Sequence, residues 1–334
     1  EWFALAILMT CFVPVVIDAT VLHMAIPSLT FDLRATGNEV LWMIDVYSIV
    51  MAGLLLPMGI LCDKIGHKKL LFIGVVIFTL TSLMAGFSQA PFHLIASRML
   101  LAVGGSMIMP ASLASIRQNF PDDRKRAIAL GVWVIFANGG AAIGPIFGGL
   151  LIEHASWRSI FLINIPVLLL ALPFVWFKLP KSICNPNRKW NIKAALILLS
   201  GIILFVYFIK TILKGGDMLF WSIAAGLMGL ALLLWFCRLQ KNADNPMLDR
   251  DLLQQQTVRY GMFLTFLMMA VTSGFELLLS QELQLVHGMS PSSTALYITP
   301  FFLAFAAPGL FSAWMMHNIG INRTIIYGLL MTAA

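Results

Sequence analysis

The chain has 334 residues, 60% of them apolar or aromatic and only 11% charged, with a mean hydropathy of +0.89. Soluble domains carry about 45–50% apolar and roughly 25% charged residues, so too little polar surface exists here to cover a water-soluble globule. A soluble enzyme, a nucleic-acid-binding domain and a disordered chain are thereby excluded. The net charge of +7 then matters by its placement among membrane loops rather than by its sum.

Apolar runs long enough to cross a bilayer, about 20 residues each, fall at 2–26, 40–61, 70–90, 92–116, 127–152, 159–177, 192–213, 218–236, 258–283 and 294–316. An eleventh opens at Thr324 and is still apolar at Ala334. The first run is too long for a signal-peptide core and ends without a small-residue cleavage site. The chain begins without methionine and stops inside an apolar run, so the intact protein is expected to be longer. Cys11, Cys62, Cys184 and Cys237 are dispersed, with no paired spacing, so neither a disulfide framework nor a metal centre is expected, and no cofactor is implied.

Orientation follows from the connections. Those after even-numbered runs carry Lys64, Lys68 and Lys69, then Arg117, Arg124, Lys125 and Arg126, then Lys178, Lys181, Arg188, Lys189 and Lys193, with weaker groups near Arg238–Arg259 and at Arg323. With their acids these five sum to +11, against −1 for the other five. The positive-inside rule then puts the even connections and the N-terminus in the cytoplasm. The segment Gly59 to Lys69 has a faint echo from Ala313 to Arg323. An internal repeat of that kind predicts an all-α polytopic membrane protein in three parts: residues 1–178 a six-helix bundle, 179–240 an inserted helix pair with its linker, and 241–334 the start of a second bundle.

Ionisable groups inside spans are costly and mark function by default. Asp18, Asp45, Arg98 and Glu276 each lie roughly 8–13 Å below the outer surface at 1.5 Å per residue, in one band of the membrane. A cavity there, with three carboxylates and one guanidinium, is net negative and suits a cation; each group also has a structural reading as a staple between helices. Glu282 and Lys210 sit at span ends, where long charged chains snorkel. Trp42, Tyr47, Trp133, Phe136, Phe275 and Tyr297 fall on the same helices and offer faces to a desolvated cation, although belts and lipid contact also explain such residues. In the fifth run Gly139, Gly140, Gly144, Pro145, Gly148 and Gly149 serve close helix packing or a hinge. In the Gly59–Lys69 turn, Gly59, Asp63, Gly66, Lys68 and Lys69 supply close approach, a carboxylate and cations, the parts of a latch made in one conformational state; a solvated basic loop is the other reading. Clustered nucleophiles, metal-ligand spacings and the carbonyl or charge-ring filter of a channel are not seen.

These motifs resemble a family. Gly59-x-Leu61-x-Asp63-x-x-Gly66-x-Lys68-Lys69 is similar to the loop between the second and third helices of major facilitator superfamily transporters. Gly144-Pro145-x-x-Gly148-Gly149 resembles the antiporter motif of the drug:proton antiporters. The run from Asp18 to Pro27, with Trp157-Arg158 and Phe161-Leu-Ile-Asn164-Ile-Pro166, is similar to their fourteen-helix branch. Leu41-Trp-Met-Ile-Asp45-Val-Tyr-Ser and Gly274-Phe-Glu-Leu-Leu are closest to its quaternary-ammonium and methyl viologen exporters. Ala102 stands where many relatives have glycine, and His317 replaces the Asp of the loop motif's second copy. The resemblance implies two six-helix bundles plus an inserted pair, with the second bundle truncated here. It further implies a monomer in the inner membrane of a bacterium that exchanges lipophilic cations (quaternary ammonium compounds, methyl viologen, dyes) for protons, with Asp18, Asp45 and Arg98 in cation and proton handling. A proton-coupled carrier of a metabolite or organic ion with the same fold remains the alternative.

Overall fold

The computed structural model describes residues 1–185, 188, 190–212, 218–241, 247 and 254–300. The eleventh run, most of the tenth and the echo of the loop motif with His317 lie outside the described residues.

The described residues form helices α1 (Trp2–Leu33), α2 (Gly37–Ile65), α3 (His67–Gly86), α4 (Pro91–Asn119), α5 (Asp123–His154), a short α6 (Ser159–Leu162), α7 (Asn164–Lys178), α8 (Ile192–Thr211), α9 (Met218–Lys241) and α10 (Gln256–Gln281). A π-helical turn, Glu282–Val286, follows α10, and residues 291–300 are helical again. Among the described residues, eight helical segments are long and apolar enough to cross a membrane, with α6 and α7 counted as one span.

Helix was the only open choice for such apolar runs, because lipid offers no partner for a free backbone group. The helices overrun the apolar stretches at their polar ends, where caps satisfy the last amides. Thr36 and Glu39 form a reciprocal capping box at the start of α2, the Asp122 carboxylate accepts from Lys125 N–H at 2.8 Å, and Asn191 accepts from Ala194 N–H at 3.1 Å. The first apolar run ends at Ile26; the helix continues past it through Pro27 to Leu33 and stops at Arg34, in the left-handed conformation with φ 51°.

Successive spans alternate direction. The starts of α1, α3 and α5 and the linker after α7 share one face, called here the basic face for its lysines and arginines; the α1–α2 and α3–α4 connections share the opposite face. Helices α3 and α4, α2 and α4, and α1 and α5 pack most closely, α7 backs onto α1 and α3, and α8 and α9 form a hairpin leaning on α2. One core cluster runs through α1–α7. At the opposite face Asp32 ties three elements together: Trp157 Nε1 donates to it at 2.9 Å and Arg158 Nη1 at 2.6 Å, while Arg158 Nη2 reaches Ser88 C=O.

Candidate functional site

The buried charges of the first four spans meet in the core. Arg98 on α4 donates from Nη1 to Asp18 Oδ2 on α1 at 3.2 Å, and both side chains are 1% exposed. The guanidinium carbon lies 5.2 Å from the centre of the Tyr47 ring on α2, a cation–π arrangement. Tyr47 is fixed in turn by its hydroxyl, which donates to Val15 C=O at 2.8 Å. Among the described residues Asp18 Oδ1 and Arg98 Nε have no hydrogen-bond partner, so the pair keeps spare capacity for one acceptor and one donor.

Asp45 and Glu276 stand elsewhere, each with its own cationic or titratable partner. Asp45 on α2 faces the α8–α9 hairpin, where Lys210 Nζ on α8 lies 2.5 Å from Oδ2. The same ammonium donates to Leu41 C=O at 3.0 Å and sits 4.8 Å over the Trp42 ring. Lys210, expected to snorkel, is therefore 14% exposed and pinned to the N-terminal end of α2. Glu276 on α10 has Oε1 3.4 Å from His23 Nδ1 on α1. The structure thus brings Asp18 and Arg98 together and does not gather all three carboxylates on one wall. Depth along a helix is legible in sequence; the side of the helix on which a group meets its partner is not, so Lys210 reads only as a snorkelling lysine and His23 carries no signal of its own. Both sit at the depth of the acids they join.

The aromatic candidates divide in the same way. Trp42 stacks on Tyr207 of α8 with ring centres 6.3 Å apart. Trp133 stacks on Phe12 at 4.6 Å and donates to Ser112 Oγ, locked in the core. Phe136 faces a cavity of about 890 Å³ between α1, α5 and the α6–α7 span. Its lining is apolar apart from Thr10 and Asn164, and it includes none of the four ionisable candidates. Phe275 and Tyr297 are exposed.

The glycine motif of α5 makes a backbone-close seam. A methyl group added at Gly140 would strike Val16 at 2.9 Å, one at Gly144 would run into Thr20, and one at Gly148 would meet Val21 at 2.6 Å. These three glycines, four residues apart, let α5 lie directly on α1. Gly149 turns to another neighbour: its added methyl would lie 2.7 Å from Pro291 C=O. Pro145 lies inside α5 without ending it.

At the basic face the linker after α7 folds over the α2–α3 turn. Gly66 adopts φ +90°, and an added Cβ would come within 2.5 Å of Ser182. Only glycine combines that dihedral with that contact. Lys68 N–H donates to Ser182 Oγ and its Nζ to Leu179 C=O at 2.7 Å. Gln118 of α4 joins the same knot through His67 Nε2, Lys181 C=O and Ile183 N–H. Asp63 C=O accepts from Asn185 N–H, and its carboxylate lies 4.0 Å from Arg188 Nε. Gly59 and Lys69 take no part: the Gly59 position is open and Lys69 is exposed.

A bundle of this topology, with buried charges at mid-span and a glycine-sealed helix pair, defines a membrane transporter. The Major Facilitator Superfamily model matches residues 8–334; the chain belongs to that superfamily and is not an enzyme. Over 100% of its length it is 42% identical to the methyl viologen resistance protein SmvA of Salmonella typhimurium, covering 67% of it. Over 99% of its length it is 33% identical to the multidrug efflux pump LfrA of Mycolicibacterium smegmatis, covering 66% of it. The chain therefore spans about two thirds of the length of these relatives. The peptide transporter POT in complex with sulfate shares the fold, with a TM-score of 0.66 at 17% identity over 95% of this chain and 69% of that one.

Proposed function

We propose that the chain is the greater part of a proton-coupled antiporter that exports lipophilic cations, quaternary ammonium compounds and methyl viologen among them, by alternating access. In this reading residues 1–178 form the first six-helix bundle, 179–240 the inserted pair and its linker, and 241–334 the beginning of the second bundle of a fourteen-helix carrier. It works as a monomer in a bacterial inner membrane with the basic face in the cytoplasm, the side on which positive loops are retained.

The observation that carries the reading is the buried Asp18–Arg98 pair with one carboxylate oxygen free, in a chain whose relatives are efflux pumps. When alternating access opens the bundle to the pair, Asp18 can accept a cation at Oδ1 without releasing Arg98 from Oδ2, and Tyr47 holds the guanidinium when the carboxylate takes a proton. Protonation from outside then removes the charge that retains the drug. A one-unit change in the affinity of a carboxylate for its proton is worth about 1.4 kcal/mol, so modest reshaping between the two facing states drives the exchange. Asp45 and Glu276 contribute charge in separate pairs, and the Gly59–Lys69 turn with its docked linker is the inner latch.

The test uses everted vesicles carrying the full-length protein. Ethidium or methyl viologen uptake should collapse with the pH gradient and be lost in Asp18→Asn, while the variant still reaches the membrane. Undiminished transport by Asp18→Asn defeats the assignment.

A further inference from the structure

Two buried titratable side chains meet where α1 touches α10. His23 Nδ1 stands 3.4 Å from Glu276 Oε1, the side chains are 9% and 5% exposed, and neither atom has a hydrogen-bond partner among the described residues. The buried residues of α10 are Thr272, Glu276 and Ser280, four residues apart, so this helix turns a polar stripe toward α1 with Glu276 at its centre. Beyond the pair lies an apolar seal of Met24, Leu283, Ala295 and Ile298. Beyond that, Gly149 abuts Pro291, and Ser292 donates to Glu153. All of these contacts lie toward the opposite face.

We propose that His23 and Glu276 are a proton-carrying latch that closes the two bundles at the opposite face, with His23 a proton-binding residue of the exchange cycle. The inference rests on the proton-coupled reading above. With one proton between them the pair is an imidazolium beside a carboxylate, attractive in a medium of low dielectric. Removing that proton leaves neutral imidazole beside a buried carboxylate; adding a second leaves a neutral acid beside a buried imidazolium. Either change deletes the attraction and strands one charge, so closure is strongest at intermediate pH, as for any coupled pair. In an export cycle the proton-loaded, drug-free carrier must return with the opposite face shut, and the proton on the pair holds it shut. Release of that proton to the basic side frees the face to open once drug is bound.

The other titratable groups on the elements packed around the pair have other commitments or positions. Asp18 on α1 and Arg98 on α4 bind each other, and Tyr47 on α2 donates to Val15. Glu153 on α5 accepts from Ser292, while His154 and Glu282 are exposed at the membrane edge.

The experiment places cysteines at Glu153 and Ser292, neighbours across the seam, in full-length protein with Cys184 and Cys237 replaced by serine. Cross-linking by a short bifunctional thiol reagent, divided at each pH by the labelling rate of the two single-cysteine variants so that thiol ionisation cancels, is followed in vesicles from roughly pH 5 to 9, the range a histidine can cover. The parent should give a bell, falling about tenfold on each side. His23→Asn and Glu276→Gln should each flatten it to within about twofold. His23→Lys keeps a cation to higher pH and should move the alkaline limb up by more than about two units; a residue that merely fills space gives no such shift. A flat parent profile, or a bell unchanged in His23→Asn, overturns the proposal. Ethidium efflux by the parent is measured alongside. Efflux driven by the pH gradient with cross-linking blind to His23 sinks the latch alone, whereas efflux indifferent to the gradient sinks the proton-coupled reading and the latch with it.

Discussion

Arg98→Gln is the most informative single change, because the pair it breaks is sealed from water. At 3.2 Å and an effective dielectric constant near 20, the attraction is about 5 kcal/mol. Removing one member of a buried pair costs about 3–5 kcal/mol, since the other charge stays behind unpaired. Both side chains are 1% exposed, so solvent screening takes little of this away. The expected result for the detergent-solubilised protein is a melting temperature lower by about 5–10 °C. The double variant Asp18→Asn with Arg98→Gln removes both charges and should recover most of that loss while remaining unable to transport. Thermal unfolding of the four forms, followed by the fluorescence of a fused reporter, closes the double-mutant cycle. An Arg98→Gln melting point within about 1 °C of the parent, or a double variant no more stable than the single one, would refute the reading of Asp18 and Arg98 as a pair whose members depend on each other.

Two further outcomes follow from backbone contacts. Gly149→Ala places a methyl 2.7 Å from Pro291 C=O, a clash that only separation of α5 from residues 291–300 relieves. Overpacking of this kind costs about 1–3 kcal/mol, so cysteine accessibility at Ser292 should rise at least several-fold; unchanged labelling would show that the seam yields elsewhere. Gly66→Ala combines a positive φ with contact on Ser182 and Cys184, and should free the linker from the α2–α3 turn. Maleimide labelling of Cys184 should then be faster than in the parent, and an unaltered rate would contradict the docking described here.

The sequence made the spans readable because apolar length is a direct consequence of bilayer thickness. It placed Asp18 and Arg98 in one band, and the structure joins them. Helix ends were less legible: the first apolar run ends at Ile26, yet α1 continues through Pro27, since proline is tolerated within membrane helices where neighbours satisfy the freed groups. The partners of Asp45 and Glu276 were invisible because periodicity gives the depth of a residue and not the identity of the helix beside it. Lys210 sits on the α8–α9 hairpin and His23 five residues beyond Asp18, and nothing in their spacing to Asp45 or Glu276 announces contact. The glycine run of α5 was read as either close packing or a hinge. Its seam on Val16, Thr20 and Val21 establishes the packing, and the two readings use the same residues.

The geometry of α1 ties events on its two flanks together. Five residues separate Asp18 from His23, about 140° of turn at 100° per residue, so one helix addresses α4 with the first and α10 with the second. A roll of this shaft by a few tens of degrees swings both groups at once, and because they point almost away from each other, tightening one grip slackens the other. No relay of intervening side chains is then required: the rotation of a single rod is enough to make release on one flank and engagement on the other a single motion.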